Sequence, residues 1–191
     1  QDAGVRLKGD VQIAAVAGEI EKTKEGEAQG AEYRGYAAGS RYLVGHGGAA
    51  DMCVLGEPTE NKVVLAHFGT LWMRLRTRGP FIHTAFSAGR LEENSIVRTR
   101  SVLDAVLEWL PRWEEEMSYE GERGVANVGA IRGGFGWRVS RTPHETDLFV
   151  DLRVPPSVPM AEARRKALEF ARGLDGVDAE VYITAPGAEI D

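Results

Sequence analysis

The sequence predicts an α+β domain over residues 69–185, with strands and helices in the order β-α-β-β-α-β. Apolar residues recur at helical spacing in two segments, residues 92–116 and 160–174. Short strand-like runs, one of them alternating between apolar and polar side chains, lie on either side of each helical segment. Elements in this order form an antiparallel four-stranded sheet with both helices on one face, which is the ferredoxin-like arrangement.

The elements of this domain have recognisable ends. Asn94 is expected to cap the first helix, and Pro111 is expected to end or kink it. Glycines at 133 and 134 close the second strand region, and prolines at 155 and 156 stop the third. The predicted strands are residues 63–77, 125–131, 148–154 and 180–184.

The first 68 residues have a different pattern, which predicts part of an α/β domain. Residues 11–17 and 52–55 are short apolar runs, and we expect both to be buried strands. Cys53 lies in the second run and is expected to be a reduced core residue. Glycine and charged residues dominate residues 18–39, and this composition predicts a long surface loop. A short helix is predicted over residues 41–44.

Composition is that of an ordinary globular protein and argues against some partners. Of the 191 residues 43% are hydrophobic, and 23 basic against 29 acidic residues give a net charge of −6. Because no basic run and no apolar stretch of about 18 residues is present, we expect neither nucleic-acid binding nor a membrane span. The single cysteine cannot form an internal disulfide, which is typical of a cytoplasmic protein. The chain does not begin with methionine, and we expect it to be a segment of a longer protein.

Three carboxylates in the first 68 residues are candidates for metal binding or proton transfer. Glu19 and Glu21 follow the first predicted strand two positions apart, so in an extended chain both side chains leave on the same side. Such a pair suits metal binding or general-base catalysis, although the charged residues around it also fit a solvated turn. Glu57 ends the second predicted strand between Gly56 and Pro58, and the proline favours an extended backbone there.

Two further candidates lie in the β-α-β-β-α-β domain. His83 falls between the first strand and the first helix, where it either meets negative charge developing on a substrate or is structural or merely exposed. Arg153 lies in an alternating strand and should face away from Leu152 and Val154, on the same side as Asp151. It is either an exposed sheet residue or an anchor for a carboxylate, which a guanidinium binds through two parallel hydrogen bonds.

Taken in order, these stretches resemble the M20 family of metallopeptidases and amidohydrolases. That family includes acetylornithine deacetylase, succinyl-diaminopimelate desuccinylase, aminoacylase and carboxypeptidase G-type enzymes. The resemblance runs along nearly the whole chain, and it implies a partial catalytic zinc-hydrolase domain over residues 1–68. It also implies a ferredoxin-like lid and dimerisation domain over residues 69–185. The matching segments are residues 7–11, 16–21, 50–59, 66–69, 78–83 and 150–153.

The resemblance implies a role for each candidate residue. Glu57 would be a zinc ligand, and Glu19 would be the general base that deprotonates a metal-bound water. His83 would stabilise the tetrahedral oxyanion, often in the active site of the partner subunit. Arg153 would bind the carboxylate of the substrate.

The chain also departs from the family pattern. The family usually has two adjacent glutamates after the first strand, but Ile20 follows Glu19, so that metal ligand is either missing or supplied by Glu21. Residues 138–143 stand where the family commonly has an asparagine before a Val-x-Pro turn. The first histidine, the bridging aspartate and the last histidine of the family's metal site would lie outside residues 1–191.

We therefore expect a fragment of a zinc-dependent amidohydrolase, either a deacylase such as a deacetylase or an exopeptidase. Its substrate would be a small carboxylate-bearing N-acyl amino acid or peptide. We expect the fragment alone to be inactive and not to retain the two zinc ions of its full-length parent. A homodimer through the lid is expected, because an edge strand of the lid can pair with a second copy. The alternative is a non-catalytic dimerisation or ligand-binding module.

Overall fold

A computed structural model describes residues 4, 6–19, 35, 37–57 and 59–190. The chain divides into two compact units, Gln1–Asn61 and Lys62–Asp191. No helix among the described residues combines the length and the apolar character needed to cross a membrane.

The first unit contains one helix within its described residues, α1 (Ala38–Gly45), which confirms the short helix predicted around residues 41–44. The buried strands predicted over residues 11–17 and 52–55 are not formed. Their side chains are exposed instead, to 90% at Ile13 and 97% at Val54. Cys53 is exposed as well, so the prediction that it is a core residue is wrong. An apolar run becomes a buried strand only where neighbouring strands pair with its backbone, and no strand in the described part of this unit does so.

The second unit has the predicted order of elements. Its longer elements follow one another as strand, helix, strand, strand, helix and strand, which confirms the β-α-β-β-α-β pattern. A further pair of two-residue strands flanks this series. The elements are β1 (Ala66–His67), β2 (Gly69–Arg78), α2 (Ser95–Glu116), β3 (Ala126–Gly133), β4 (Glu145–Val154), α3 (Met160–Arg172), β5 (Val177–Ala185) and β6 (Ala188–Glu189).

The four long strands form one antiparallel sheet in the spatial order β3-β4-β2-β5. Strands β2 and β4 pair over ten positions, from Thr70 opposite Arg153 near one end to Arg78 opposite Glu145 at the other. Alternate residues of both strands are buried against α2 and α3, and the remaining residues form an open face. The sheet therefore has both helices on one side, as the ferredoxin-like prediction requires.

The core lies between the sheet and the two helices. Strand β2 contributes Leu71, Met73 and Leu75, which are fully buried. Alanines of α3 let that helix approach the sheet closely. The other buried apolar residues are Val102, Val106, Trp109, Leu110, Trp113, Met117, Leu148, Val150, Leu152, Val154, Ala163, Ala167 and Ala171.

Helix α2 continues past Pro111 to Glu116, so of the two outcomes expected at this proline, an end or a kink, the end does not occur. The predicted cap is confirmed, since the Asn94 side chain accepts a hydrogen bond of 2.9 Å from the Ile96 N–H group. Trp113 and Met117 beyond the proline are almost completely buried. Their packing holds the last turns in place although the proline has no N–H group to donate.

Strands β1 and β6 pair antiparallel and form a separate two-stranded ribbon, in which Ala66 lies opposite Glu189. The chain thus enters and leaves the four-stranded sheet at neighbouring positions. Gly69 and Gly187 are required beside the ribbon, because a Cβ atom on Gly187 would lie 2.6 Å from the His67 carbonyl oxygen and 2.9 Å from the Gly69 nitrogen.

Candidate functional site

The loop that carries His83 extends the antiparallel ladder beyond the end of β2. The Gly79 N–H group donates to the His144 carbonyl oxygen at 2.8 Å, and the Thr142 N–H group donates to the Ile82 carbonyl oxygen at 3.0 Å. A side chain at Gly79 would collide with the Glu93 carbonyl oxygen. The loop is therefore anchored on two sides before it reaches His83.

A buried network of hydroxyl groups fixes the start of α2 against the ends of β2 and β4. The Thr77 hydroxyl lies 2.8 Å from the Ser95 carbonyl oxygen and 2.7 Å from the Thr99 hydroxyl. The Ser95 hydroxyl lies 2.9 Å from that of Thr146. All four side chains are almost completely buried, so the network holds the base of the His83 loop in one arrangement.

His83 is exposed, and its ring is oriented by the backbone that follows it. The Ala85 N–H group donates to the His83 Nδ1 atom at 3.1 Å, which caps the single helical turn Thr84–Phe86. An Nδ1 atom that accepts a hydrogen bond carries no proton, so the neutral ring carries its proton on Nε2. His83 thus offers one N–H donor to its surroundings.

Arg153 lies on the open face of the sheet, and its side chain is 39% exposed. Its Nε and one terminal nitrogen donate to the same Asp151 oxygen, at 3.1 and 2.7 Å, so the prediction that the two share a face is confirmed. The other Asp151 oxygen accepts from the Thr70 hydroxyl at 2.9 Å. Because a guanidinium has five N–H donors, Arg153 can still bind a second carboxylate while Asp151 holds it in place.

His83 and Arg153 lie at opposite ends of the sheet. Arg153 pairs with Thr70, whereas His83 lies beyond Arg78 at the other end of the same strand. The eight steps along β2 from Thr70 to Arg78 correspond to about 26 Å, at roughly 3.3 Å per residue. One small molecule therefore cannot contact both side chains in the same copy of this unit.

The candidate carboxylates of the first unit do not by themselves form a metal site. Glu19 and Glu57 are both exposed, and the Glu57 carbonyl oxygen accepts from the Thr59 N–H group at 2.8 Å. Glu21 and its neighbour Ile20 lie outside the described residues. Within the part of the chain that the structure describes, no three His, Cys, Asp or Glu side chains come together as metal ligands. These residues therefore do not fit a zinc ion without others.

One charged residue beside His83 was not among the sequence candidates. Arg141 lies directly opposite His83 in the extended ladder. Its guanidinium carbon lies 5.2 Å from the centre of the Phe81 ring. The only sequence signal was that residues 138–143 depart from the M20 pattern, which does not reveal that Arg141 lies across from His83.

Comparisons with known proteins extend this description. No protein-family model matches the chain. Among solved structures, AtUAH in complex with glyoxylate is similar at 16% identity and a TM-score of 0.48, over 65% of this chain and 29% of that one. A hydantoinase/carbamoylase family amidase from Burkholderia vietnamiensis is similar at 18% identity and a TM-score of 0.43, over 66% and 30% of the two chains.

Human carnosine dipeptidase 1 is also similar, at 7% identity and a TM-score of 0.49, over 67% of this chain and 39% of that one. The solved structures with which the chain aligns thus include amidases and a dipeptidase. The aligned part of this chain corresponds to less than two fifths of the length of each of these three proteins.

Proposed function

We propose that this chain is part of a zinc-dependent amidohydrolase of the M20 type, a deacylase or exopeptidase. The parent protein would hydrolyse an amide bond in a small N-acyl amino acid or peptide that bears a carboxylate. Residues 69–185 would act as the lid and dimerisation domain. The six matching sequence segments and the β-α-β-β-α-β fold of this region support the proposal.

The observation that carries the proposal is the placement of an N–H donor and a carboxylate-binding arginine at opposite ends of one sheet. His83 would donate from Nε2 to the oxyanion that forms when the amide carbonyl is attacked. Arg153 would bind the substrate carboxylate with the donors that Asp151 leaves available. Since Arg153 lies beside Thr70 and His83 lies beyond Arg78, about 26 Å farther along β2, each substrate would contact His83 of one copy and Arg153 of the other.

The carboxylates keep the roles that the family resemblance implies. Glu57 and Glu21 would be zinc ligands, and Glu19 would be the general base. Since Glu19 and Glu57 alone do not fit a metal ion, the remaining ligands of a two-zinc site would come from elsewhere in the parent protein. The isolated chain is accordingly proposed to be inactive and to lose zinc on dialysis. Zinc that stays bound at one or more equivalents per chain after dialysis would contradict this.

Mixing two inactive variants of the parent protein tests the composite site directly. H83A removes the donor that one copy supplies, and E57A removes the ligand that the other copy supplies. Random mixed dimers contain one intact site in half of the molecules, so unfolding and refolding the variants together should restore about a quarter of the wild-type activity. The readout is the hydrolysis of a panel of N-acyl amino acids.

Two controls make this result interpretable. Each variant refolded alone should stay inactive, and H83A mixed with the double variant H83A/E57A should not recover. Absence of hydrolysis by the wild-type parent with every substrate would reject the enzyme and favour a binding module. Activity of the wild type without recovery in the mixture would reject the composite site.

A further inference from the structure

A cavity of about 220 Å³ lies beside His83, between the segment from Thr84 to Asn94 and the segment from Val139 to Thr142. This is smaller than the roughly 300–1,000 Å³ of sites for drug-sized ligands, so it suits one small chemical group. Leu91 and Val139 supply apolar contact surface for aliphatic carbons.

The charge of this cavity is positive. Arg90 and Arg141 line it, whereas no aspartate or glutamate among the described residues does. Arg90 is already paired, since its guanidinium donates two hydrogen bonds to Glu93, at 2.8 and 2.6 Å. No carboxylate in the described part of the chain pairs with Arg141. Arg141 therefore provides a positive charge that the surrounding residues do not compensate.

Uncharged donors surround the same cavity. The Asn94 side chain uses its oxygen to cap α2, which leaves its NH₂ group as a donor. Thr84 contributes a hydroxyl that forms no hydrogen bond with the described residues. With Arg141 they form a set of donors suited to carboxylate oxygens.

The ladder places Arg141 next to His83. The Thr84 N–H group donates to the Ser140 carbonyl oxygen and the Thr142 N–H group to that of Ile82, so His83 and Arg141 form a non-hydrogen-bonded antiparallel pair. Side chains of such pairs are the closest neighbours across an antiparallel ladder. Arg141, which lines the cavity, is therefore the direct cross-strand neighbour of His83.

A second cavity, also in the second unit, has a different balance of charges. It measures about 280 Å³, lies between α2 and α3, and is lined by Arg112 and Lys166 but also by Glu116 and Glu169. Lys166 pairs with Glu116 at 3.0 Å. The positive charges that line that cavity are compensated by carboxylates, whereas the charge of Arg141 beside His83 is not.

We propose that the cavity beside His83 is a carboxylate subsite, in which Arg141 binds a second carboxylate of the substrate. This subsite proposal takes the kind of substrate from the proposed function. It narrows the substrate class to N-acyl amino acids or peptides with two acidic groups. One carboxylate would bind Arg153 of one copy, and the other would bind Arg141 of its partner together with the reacting carbonyl near His83.

Direct binding to the 191-residue chain tests the subsite without any catalytic assay. Succinate is titrated while backbone amide resonances are followed by NMR, with uncharged succinamide and with inorganic phosphate as comparison probes. Succinate should shift the resonances of Thr84, Asn94 and Arg141, and succinamide should not. Equal shifts with succinamide, tighter binding of phosphate than of succinate, or shifts confined to the surroundings of Arg153 would each overturn the proposal.

Variants of Arg141 complete the test. R141Q should weaken succinate binding at least about tenfold, and R141K should weaken it less, because lysine keeps the charge but not the planar fork. R132Q serves as the matched control, since Arg132 lies over the Phe149 ring on the open face, and it should bind as the wild type does. Unchanged binding by a folded R141Q would overturn the proposal. Succinate binding at the cavity stands even if the parent hydrolyses no amide, so this result and that of the proposed function can fail separately.

Discussion

At the scale of single residues, His83 has two functions that a substitution can separate. Its Nδ1 atom caps a backbone turn, and its Nε2 atom is the proposed donor to the oxyanion. Asparagine can cap the same turn through its side-chain oxygen but does not extend to the position of Nε2. H83N should therefore lower kcat of the parent enzyme by about 10²-fold or more while leaving the loop folded.

The matched control for H83N is the same substitution at His46, an exposed residue after α1, which should leave kcat unchanged. If H83N keeps wild-type kcat while H83A loses it, His83 acts only as a cap. The proposed catalytic role would then be wrong.

At the scale of secondary-structure elements, the hydroxyl network at the start of α2 should contribute measurably to stability. T77V keeps the shape of the side chain but removes its hydrogen bonds to the Ser95 carbonyl oxygen and the Thr99 hydroxyl, which then keep only their bond to each other within the network. We expect the free energy of unfolding to fall by about 1 kcal/mol, measured by urea denaturation of the chain. T184V, at an exposed position of β5, should change it by less than about 0.5 kcal/mol. A loss for T77V no larger than that for T184V would contradict a role for the network.

A hydrogen bond between Tyr119 and strand β6 of the two-stranded ribbon can be tested as well. The Tyr119 hydroxyl donates to the Glu189 carboxylate, which raises the pKa of Tyr119 to about 12. A raised pKa favours the protonated form in the folded state. The contribution of this bond to stability is therefore fully present below the ordinary tyrosine pKa of about 10 and is lost as the pH rises towards 12.

Tyrosinate absorbance during an alkaline titration should show a group that ionises near pH 12. E189Q removes the negative charge and should bring that group down towards pH 10, and Y119F should abolish the step altogether. A step that persists in both variants would show that another tyrosine is responsible.

At the scale of the whole molecule, the proposed dimer needs an edge strand that can accept a second copy. The outer strands are β3 and β5. Strand β3 exposes the apolar Ile131 to 57%, whereas the exposed acidic side chains of β5, Asp178 and Glu180, already form ion pairs with Arg78 and Arg74 of β2. We therefore propose that pairing occurs through β3.

Light scattering should then give a mass twice the 20.8 kDa of one chain. I131K places a charge on the pairing edge and should shift the equilibrium to the monomer, whereas T184K on β5 should not. A single-chain mass at the highest attainable concentration would contradict the dimer. If T184K were a monomer and I131K a dimer, the interface would lie on β5 instead of β3.

The order of elements predicted for the second unit is confirmed, although α2 does not end at Pro111, because the sequence signals for these elements lie within each element. The helical spacing of apolar residues and the Asn94 cap identify α2 without reference to any other element. The runs at residues 11–17 and 52–55 carry no such information, because an apolar run reads the same whether or not partner strands cover it. The exposure of Ile13 and Cys53 depends on those partners.

The candidate site was predictable only in part, for the same reason. His83 and Arg153 could be placed on a loop and on a strand from their own surroundings. That they lie at opposite ends of the sheet follows from the register of β2 with β4, and that Arg141 faces His83 follows from pairing between distant segments. Register is set by tertiary contacts, which a single sequence does not display.

The side-by-side entry and exit of the chain at β1 and β6 has a consequence for the ancestry and engineering of this protein. Paired antiparallel residues lie only about 5 Å apart, so removal of everything between them leaves a gap that one or two residues can close. A module with such neighbouring ends can be gained, exchanged or deleted without rearranging its host. Grafting the segment between Ala66 and Glu189 into another protein is therefore a feasible way to transplant its loop and its arginines together.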